Sequence, residues 1–206
     1  DLTYVPLHHL GYKIATAAVS DIYAMNGDPE VVVVNLAVPN KISVDMLKEI
    51  YRGIGAAGKD NDFQIVGGDL TASHQILSAS ISCYGQVDRE RITYRKGAHV
   101  DDAICVTGDL GGAIAGLRIL MREKKYLEEQ EQQQAFQPDL DDYEYVVKRQ
   151  LVPIARRDFV QKLRELNMLP SSMVDLTQGL VSELKHLSDA SEVGTYIYEA
   201  ALPIAP

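Results

Sequence analysis

Apolar residues recur at helical spacing from Pro6 to Asn26, with Leu7, Leu10, Ile14, Ala17, Ala18 and Met25 on one stripe. Pro6 suits a first helical turn and Gly27 lies just past the last periodic residue, so a helix is predicted between them. Val31 to Val38 is a β-branched run bounded by Pro29 and Pro39, the pattern of a buried strand. Ser43 predicts the cap of a helix reaching about Lys59, with Met46, Leu47, Ile50 and Ile54 facing inward. Phe63 to Val66 reads as a short strand that ends in a Gly67-Gly68-Asp69 loop. Leu77 to Cys83 alternates, with Leu77, Ala79, Ile81 and Cys83 on one face and Ser78, Ser80 and Ser82 on the other. That is a strand with one wet side.

The pattern then changes. Asp88 to Asp102 is charged and poor in apolar residues, which predicts a boundary between an N-terminal domain at 1–90 and a C-terminal domain at 91–206. Strands are predicted at Ala103 to Val106, Met173 to Leu176 and Thr195 to Glu199. Helices are predicted from the Gly111-Gly112 turn to about Glu123, and at Tyr143 to Gln150, Arg156 to Leu166 and Leu180 to Ala190. The Glu/Gln-rich run from Glu128 to Gln134 reads as a solvated helix end or loop. Strands and helices alternate without internal repeats, so the expected architecture is α/β (α+β).

Composition mainly excludes. With 206 residues, 46% of them hydrophobic, the chain can build a core without disulfide staples. Cys83 and Cys105 lie in separate predicted strands, so neither a disulfide framework nor a metal-binding pair is expected, and a reducing, cytoplasmic location is. No apolar run approaches the roughly 18–20 residues that cross a bilayer, so no membrane span is expected. The net charge of −9 argues against nucleic acid as the main partner. Much of that charge is local: Tyr126 to Val147, read as an acidic loop, holds seven acids and no Lys or Arg.

Asp21 is the most informative residue. It falls among the apolar positions of the first predicted helix, where an unpaired charge costs several kcal/mol. The readings are open: a structural ion pair or a helix-end hydrogen bond, or a ligand for a hard cation such as Mg²⁺. Asp69 follows a strand and a Gly-Gly pair that lets backbone amides approach a ligand, although such a sequence also serves as a plain turn. Asp175 repeats the arrangement, with Thr177, Gln178 and Gly179 opening a helix whose N-terminus suits phosphate. The Thr107 to Gly112 turn has no Lys-Ser or Lys-Thr after it, so it is not a P-loop. His8, His9, His74, His99 and His186 have no metal-ligand spacing, and no nucleophile stands out. Carboxylates at the ends of several elements fit phosphoryl transfer, which needs positioning and charge neutralisation more than a covalent nucleophile.

The runs DLTYVPLHHLGYK (1–13), VSDIYAMNGDPE (19–30), IVGGDLTAS (65–73), YRKGA (94–98), ICVTGDLGGAIAGL (104–117) and VDLTQGLVSELKHL (174–187) resemble, in this order, the thiamine-monophosphate kinase family. The resemblance implies a two-domain fold like that of aminoimidazole-ribonucleotide synthetase, shared with selenophosphate synthetase and a hydrogenase-maturation factor. In it an N-terminal domain dimerises and an α/β C-terminal domain packs beside it. It implies ATP held by Asp-bound Mg²⁺ and transfer of the γ-phosphate to thiamine monophosphate, giving thiamine diphosphate. Asp21 takes the place of the family's magnesium-bridging helix aspartate, and Gly68 and Asp69 that of its Gly-Gly-Asp motif for metal and ATP phosphates. Arg95 falls on the nucleotide-contacting arginine of Arg-x-Gly-Ala. Asp175 to Leu180 falls on Asp-x-Ser-Asp-Gly-Leu, which makes Asp175 a metal ligand and Thr177 a nucleotide contact.

The chain departs from the family at Gln178, which replaces the second aspartate of that motif, at Leu70 for the usual Thr, and at Asp101 for the usual Gly. The family's opening Gly-Asp-Asp and Ser-Thr-Asp motifs with a substrate histidine, and its portion after Pro206, have no counterpart, so both domains are expected to be incomplete. Gln178 favours an alternative, a degenerate nucleotide-binding homologue without catalysis; another ATP-dependent synthetase of the superfamily is a further one. A homodimer is expected, because an apolar face of the sheet formed by Val31 to Val38 and Leu77 to Cys83 would otherwise stay wet.

Overall fold

The first half of the chain is built from helix α1 (Leu7–Ala24), strand β1 (Asp28–Pro39), helix α2 (Val44–Asn61), and strands β2 (Gln64–Ser73) and β3 (Ser78–Gln86). The computed structural model describes residues 2–129 and 140–206. The three strands form one sheet in the order β2-β1-β3, with β1 parallel to β2 and antiparallel to β3. The α2 crossover makes the parallel pairing possible. Val32, Val34 and Leu36 of β1 point at the two helices and meet Ala15, Val19, Tyr23, Ile50, Ile54 and Ala57 in the core. Ile81 and Cys83 of β3 pack against it. The alternation read for β3 therefore puts its apolar face inward.

The opposite face of the sheet carries Val33, Asn35 and Ala37 of β1, which pair with Gly67, Asp69 and Thr71 of β2 and with Ser82, Ser80 and Ser78 of β3. Over β1 and β3 the helices cover the apolar side, and the open side is a row of small and polar residues. Over β2 the expected wet apolar face is present: Ile65 and Leu70, level with Val32 and Leu36, are 39% and 56% exposed.

Helix α1 corrects one expectation. Its buried residues are Gly11, Ala15, Thr16, Val19 and Tyr23. At 100° per residue they lie nearly opposite the Leu7–Met25 stripe. The cause is a close approach of α1 to α2. A Cβ on Gly11 would meet the Ile50 carbonyl oxygen at 1.9 Å, and one on Gly53 would meet that of His8 at 1.8 Å. A seam of small residues lets two backbones touch, and the larger side chains are left to its flanks. Leu7 and Ile14 pack on the core's margin, while Met25 is 40% exposed.

Helix α2 starts as expected, with the Ser43 hydroxyl accepting the Met46 amide at 3.3 Å. Ser43→Ala should cost about 1 kcal/mol by orphaning that amide. The check is a lowered urea midpoint at unchanged m-value; an unchanged midpoint would show that the cap contributes nothing.

Strand β2 does not stop at Val66. It runs through Gly67, Gly68 and Asp69 to Ser73, so the Gly-Gly-Asp segment is strand rather than loop. A register shift opposite Val32 and Val33 skips Val66 and brings Gly68 against Val34. A Cβ on Gly68 would sit 1.9 Å from the Val34 carbonyl oxygen, so the pairing itself demands glycine there.

The second half holds α3 (Gly112–Glu129), α4 (Glu144–Leu151), α5 (Arg157–Glu165) and α6 (Leu180–Ser191), with 3-10 turns at Asp141–Tyr143 and Glu199–Ala201. Helix α3 continues past Glu123 to Glu129, so the start of the 126–147 segment is helical, as is its end in α4. Residues 130–139 of the expected acidic loop, like Asp1, lie outside the described residues. Leu120, Val147 and Leu151 form a small second core between α3 and α4.

The strands expected at 103–106, 173–176 and 195–199 are absent. Outside the three-stranded sheet the described residues hold a single bridge, Leu110 to Ile204. Apolar periodicity makes a segment capable of a strand, but only a neighbouring backbone makes it one.

The two halves touch. Ala155 and Val160 enter the first core, and Lys13 Nζ donates to the Gln150 carbonyl at 2.7 Å. Arg164 reaches back to Asp28 Oδ2 at 2.6 Å and to the Asn26 carbonyl at 2.7 Å. No helix among the described residues is long and apolar enough to cross a membrane.

Candidate functional site

Asp21 is exposed on α1, so it is not a charge buried in an apolar stripe. What faces it is another acid. Asp175, half-buried in the loop before α6, is held above the ordinary carboxylate range by burial, then by the charges of Asp21 and Glu183. Asp21 also helps burial push the Cys83 thiol up to about 11. The fold thus gathers the last turns of α1, the middle of β3, the 174–179 loop and the first turns of α6 around one negatively charged spot. Neither Asp21 nor Asp175 has a Lys or Arg in ion-pair range among the described residues, so the structural ion-pair reading of Asp21 is not met.

Glu183 was missed by the sequence reading. It is 5% exposed, and its Oε1 accepts the Gln178 backbone amide at 3.2 Å. The signal was present: Glu183 falls in the Leu180, Leu184, Leu187 stripe of α6. The criterion applied to Asp21 on α1, where the buried seam lies elsewhere, holds for Glu183 on α6.

The Tyr94 to Ala98 segment lies against the residues that lead into Asp175. The Met173 amide donates to the Tyr94 carbonyl at 3.1 Å, and Ser172 Oγ donates to that of Arg95 at 2.7 Å. The amides of Gly97 and Ala98 both donate to Ser191 Oγ at 3.1 Å. Gly97 sits at φ +135°, and a Cβ on it would be 2.5 Å from the Ser171 carbonyl oxygen. Two stretches far apart in sequence are stitched together, and this fixes where Arg95 emerges. Its side chain is exposed and has no hydrogen bond or ion pair among the described residues. Thr177 and Gln178 are exposed in the loop after Asp175, ahead of Gly179 at the start of α6.

Asp69 does not join this group. It is exposed on the open face of the sheet, paired with Asn35, with Thr71, Ser78 and Ser80 around the same shallow hollow. Cys83, beside Asp21, is on the other face and two strands away, a lateral separation of about 10 Å. Gly67, next to Gly68, has nothing within 4 Å of the position a Cβ would take. Among the described residues no three His, Cys, Asp or Glu side chains converge closely enough to hold a metal ion by themselves. The donor set that does fit is the Asp21–Asp175 pair. Two facing carboxylates without a cation suit Mg²⁺, which is commonly held by one or two carboxylates plus phosphate oxygens and water.

This fold has known counterparts. Residues 2–87 match the family described as AIR synthase related protein, N-terminal domain. Over its length the chain is similar to thiamine-monophosphate kinases, which bears out the resemblance carried by the sequence motifs. It is 30% identical to the Bacillus subtilis (strain 168) enzyme, covering 98% of this chain and 59% of that one. The structure of the enzyme from Stenotrophomonas maltophilia K279a superposes with a TM-score of 0.81 at 30% identity, covering 98% of this chain and 60% of that one. AaThiL complexed with AMPPCP and TMP gives 0.76 at 27% identity, covering 91% of this chain and 55% of that one. The chain therefore spans a little over half the length of these relatives.

Proposed function

We propose that this chain carries a nucleotide- and Mg²⁺-binding part of a thiamine-monophosphate kinase, which moves the γ-phosphate of ATP onto the phosphate of thiamine monophosphate. The observation that carries the proposal is the meeting of Asp21 and Asp175, from a helix and a loop far apart in sequence, with no cation beside them. Mg²⁺ bound there would neutralise phosphate charge and favour transfer of the terminal phosphoryl group. Asp21 and Asp175 would hold the ion, and Thr177 and Arg95 would contact the nucleotide. Asp69 would meet phosphate or a separate ion on the open face of the sheet, and Gly68, level with Val34, would let backbone approach at the same edge. The relative bound to AMPPCP and TMP supports both substrates. No base of perturbed basicity is needed, because the acceptor phosphate is itself an anionic nucleophile.

The same proposal includes a cytoplasmic homodimer built on the sheet, with the row of small and polar residues as the face a second copy would meet. Light scattering at micromolar concentration is expected to give twice the 22.7 kDa chain mass. A monomer mass would count against it.

Titration of a non-hydrolysable ATP analogue with and without Mg²⁺, followed by assay of thiamine diphosphate formation, tests the activity. Binding that is equal in a chelator would remove the metal from the reading. Gln178 favours the second reading, a nucleotide binder without turnover. Gln178→Asp decides between them: a gain of turnover supports the kinase, and unchanged nucleotide binding with no turnover supports the binder.

A further inference from the structure

Glu183 is nearly fully buried, yet no Lys or Arg among the described residues pairs with it. A carboxylate in that position is costly to keep unless it performs something a hydrophobic residue could not. Its one identified bond is to a backbone amide, that of Gln178. Glutamate reaching back to an amide ahead of its own helix resembles the reciprocal bond of a capping box, with each partner displaced by one residue, so that it spans five residues instead of three. The loop residue it grips, between Thr177 and Gly179, lies three positions after Asp175. Gly179, at φ +125° with nothing within 4 Å of a Cβ position, gives the loop no steric support of its own. No side-chain cap secures the start of α6 either. The hold on the loop therefore comes from inside α6.

We infer that Glu183 is a positioning residue: through its bond to the Gln178 amide it fixes the 175–178 loop so that Asp175 faces Asp21 and Thr177 faces outward. The inference rests on the Mg²⁺-nucleotide reading of that site. Burial keeps Glu183 from meeting a ligand directly, so it acts through the loop.

Two substitutions separate the bond from the charge. Glu183→Gln keeps an acceptor oxygen and loses the charge. Glu183→Leu fills the same buried space and loses the acceptor. The expected result is that Mg²⁺-dependent affinity for a non-hydrolysable ATP analogue falls at least tenfold in the leucine variant and stays within about threefold in the glutamine variant. Hydrogen exchange at the Gln178 amide should accelerate in the leucine variant alone, with the rest of α6 protected as in the parent chain. Should the leucine variant not fold, the glutamine variant and the parent still decide: a tenfold loss in the glutamine variant overturns the role, because the bond would have survived. Parent-like affinity in a folded leucine variant overturns it as well. A parent chain with no Mg²⁺-dependent binding, but with Gln178 protected by Glu183, overturns the reading of the site and with it the positioning role. In that case the bond is only a helix cap.

Discussion

Asp21→Asn is expected to lower Mg²⁺-dependent nucleotide affinity more than about tenfold, a loss of roughly 1.4 kcal/mol or more, while stabilising the metal-free chain. Both effects follow from the company Asp21 keeps. It faces Asp175 with no Lys or Arg paired to it among the described residues, so in the absence of metal the pair repels, and in the proposed function the pair would be the ligand set. The variant keeps the shape of the side chain and removes one charge. The pH dependence carries the same signature. Asp175 is held above its ordinary 3.8 by burial, by Asp21 and by Glu183, so the folded chain binds that proton more tightly than the unfolded chain does. The stability this contributes is full below about 3.8 and is lost as pH rises through the raised folded value. Asp21→Asn removes one of the three causes, so it should lose less stability than the parent over that rise. Urea midpoints for both chains from pH 4 to 7 read this directly. Parallel pH curves would show that Asp21 and Asp175 do not interact, and unchanged Mg²⁺ dependence would remove Asp21 from the metal site.

Gly53→Ala should be the most damaging single-methyl change in the first half of the chain, at about 3 kcal/mol. Helix propensity alone predicts the opposite sign, since alanine is favoured over glycine in a helix by about 1 kcal/mol. Tertiary contact decides. The added Cβ would meet the His8 carbonyl oxygen at 1.8 Å and the Tyr12 amide nitrogen at 2.7 Å, and both are backbone atoms of α1 that cannot swing aside. The helices must separate, which opens the core around Ile50, Ile54 and Ala15. Gly55→Ala, two residues on in the same helix, meets nothing within 4 Å and should stabilise by about 0.5–1 kcal/mol. Thermal unfolding of the pair is the measurement. Equal effects at the two positions would show that the α1–α2 approach is looser than described.

The close approach at Gly11 and Gly53 shows why part of the fold was hidden from pattern reading. The helices α1 and α2 and the strands β1 and β3 were legible because each carries its own signal: Ser43 as a cap, the prolines around the Val31 to Val38 run, and the alternation from Leu77 to Cys83. The face that α1 buries was not legible. Gly11 and Ala15 contribute little to an apolar pattern, and their value lies in how close they let α2 come. Gly68 misled in a similar way, since a Gly-Gly pair reads as a turn until the neighbouring strand shows that a side chain there would strike Val34. At the site, Asp21 was chosen for a burial it does not have, yet it stands beside Asp175. Glu183, which is buried, was passed over although its stripe was visible.

By itself the sequence determined that α1, α2, β1 and β3 form in the first half, and where α2 and α6 begin. The motifs also determined the kinship with thiamine-monophosphate kinases, because several short runs in a preserved order are specific in a way that no single run is. Only the tertiary structure decided which face of α1 is covered, that Asp175 and not a cation meets Asp21, that Asp69 stands on the other side of the sheet, and that the 103–106, 173–176 and 195–199 segments remain without strand partners. The physical reason is one of range. Caps, alternation and turn preferences are set by a residue and its near neighbours in the chain. Close backbone approach, charge facing charge and strand pairing depend on residues brought together from far along it.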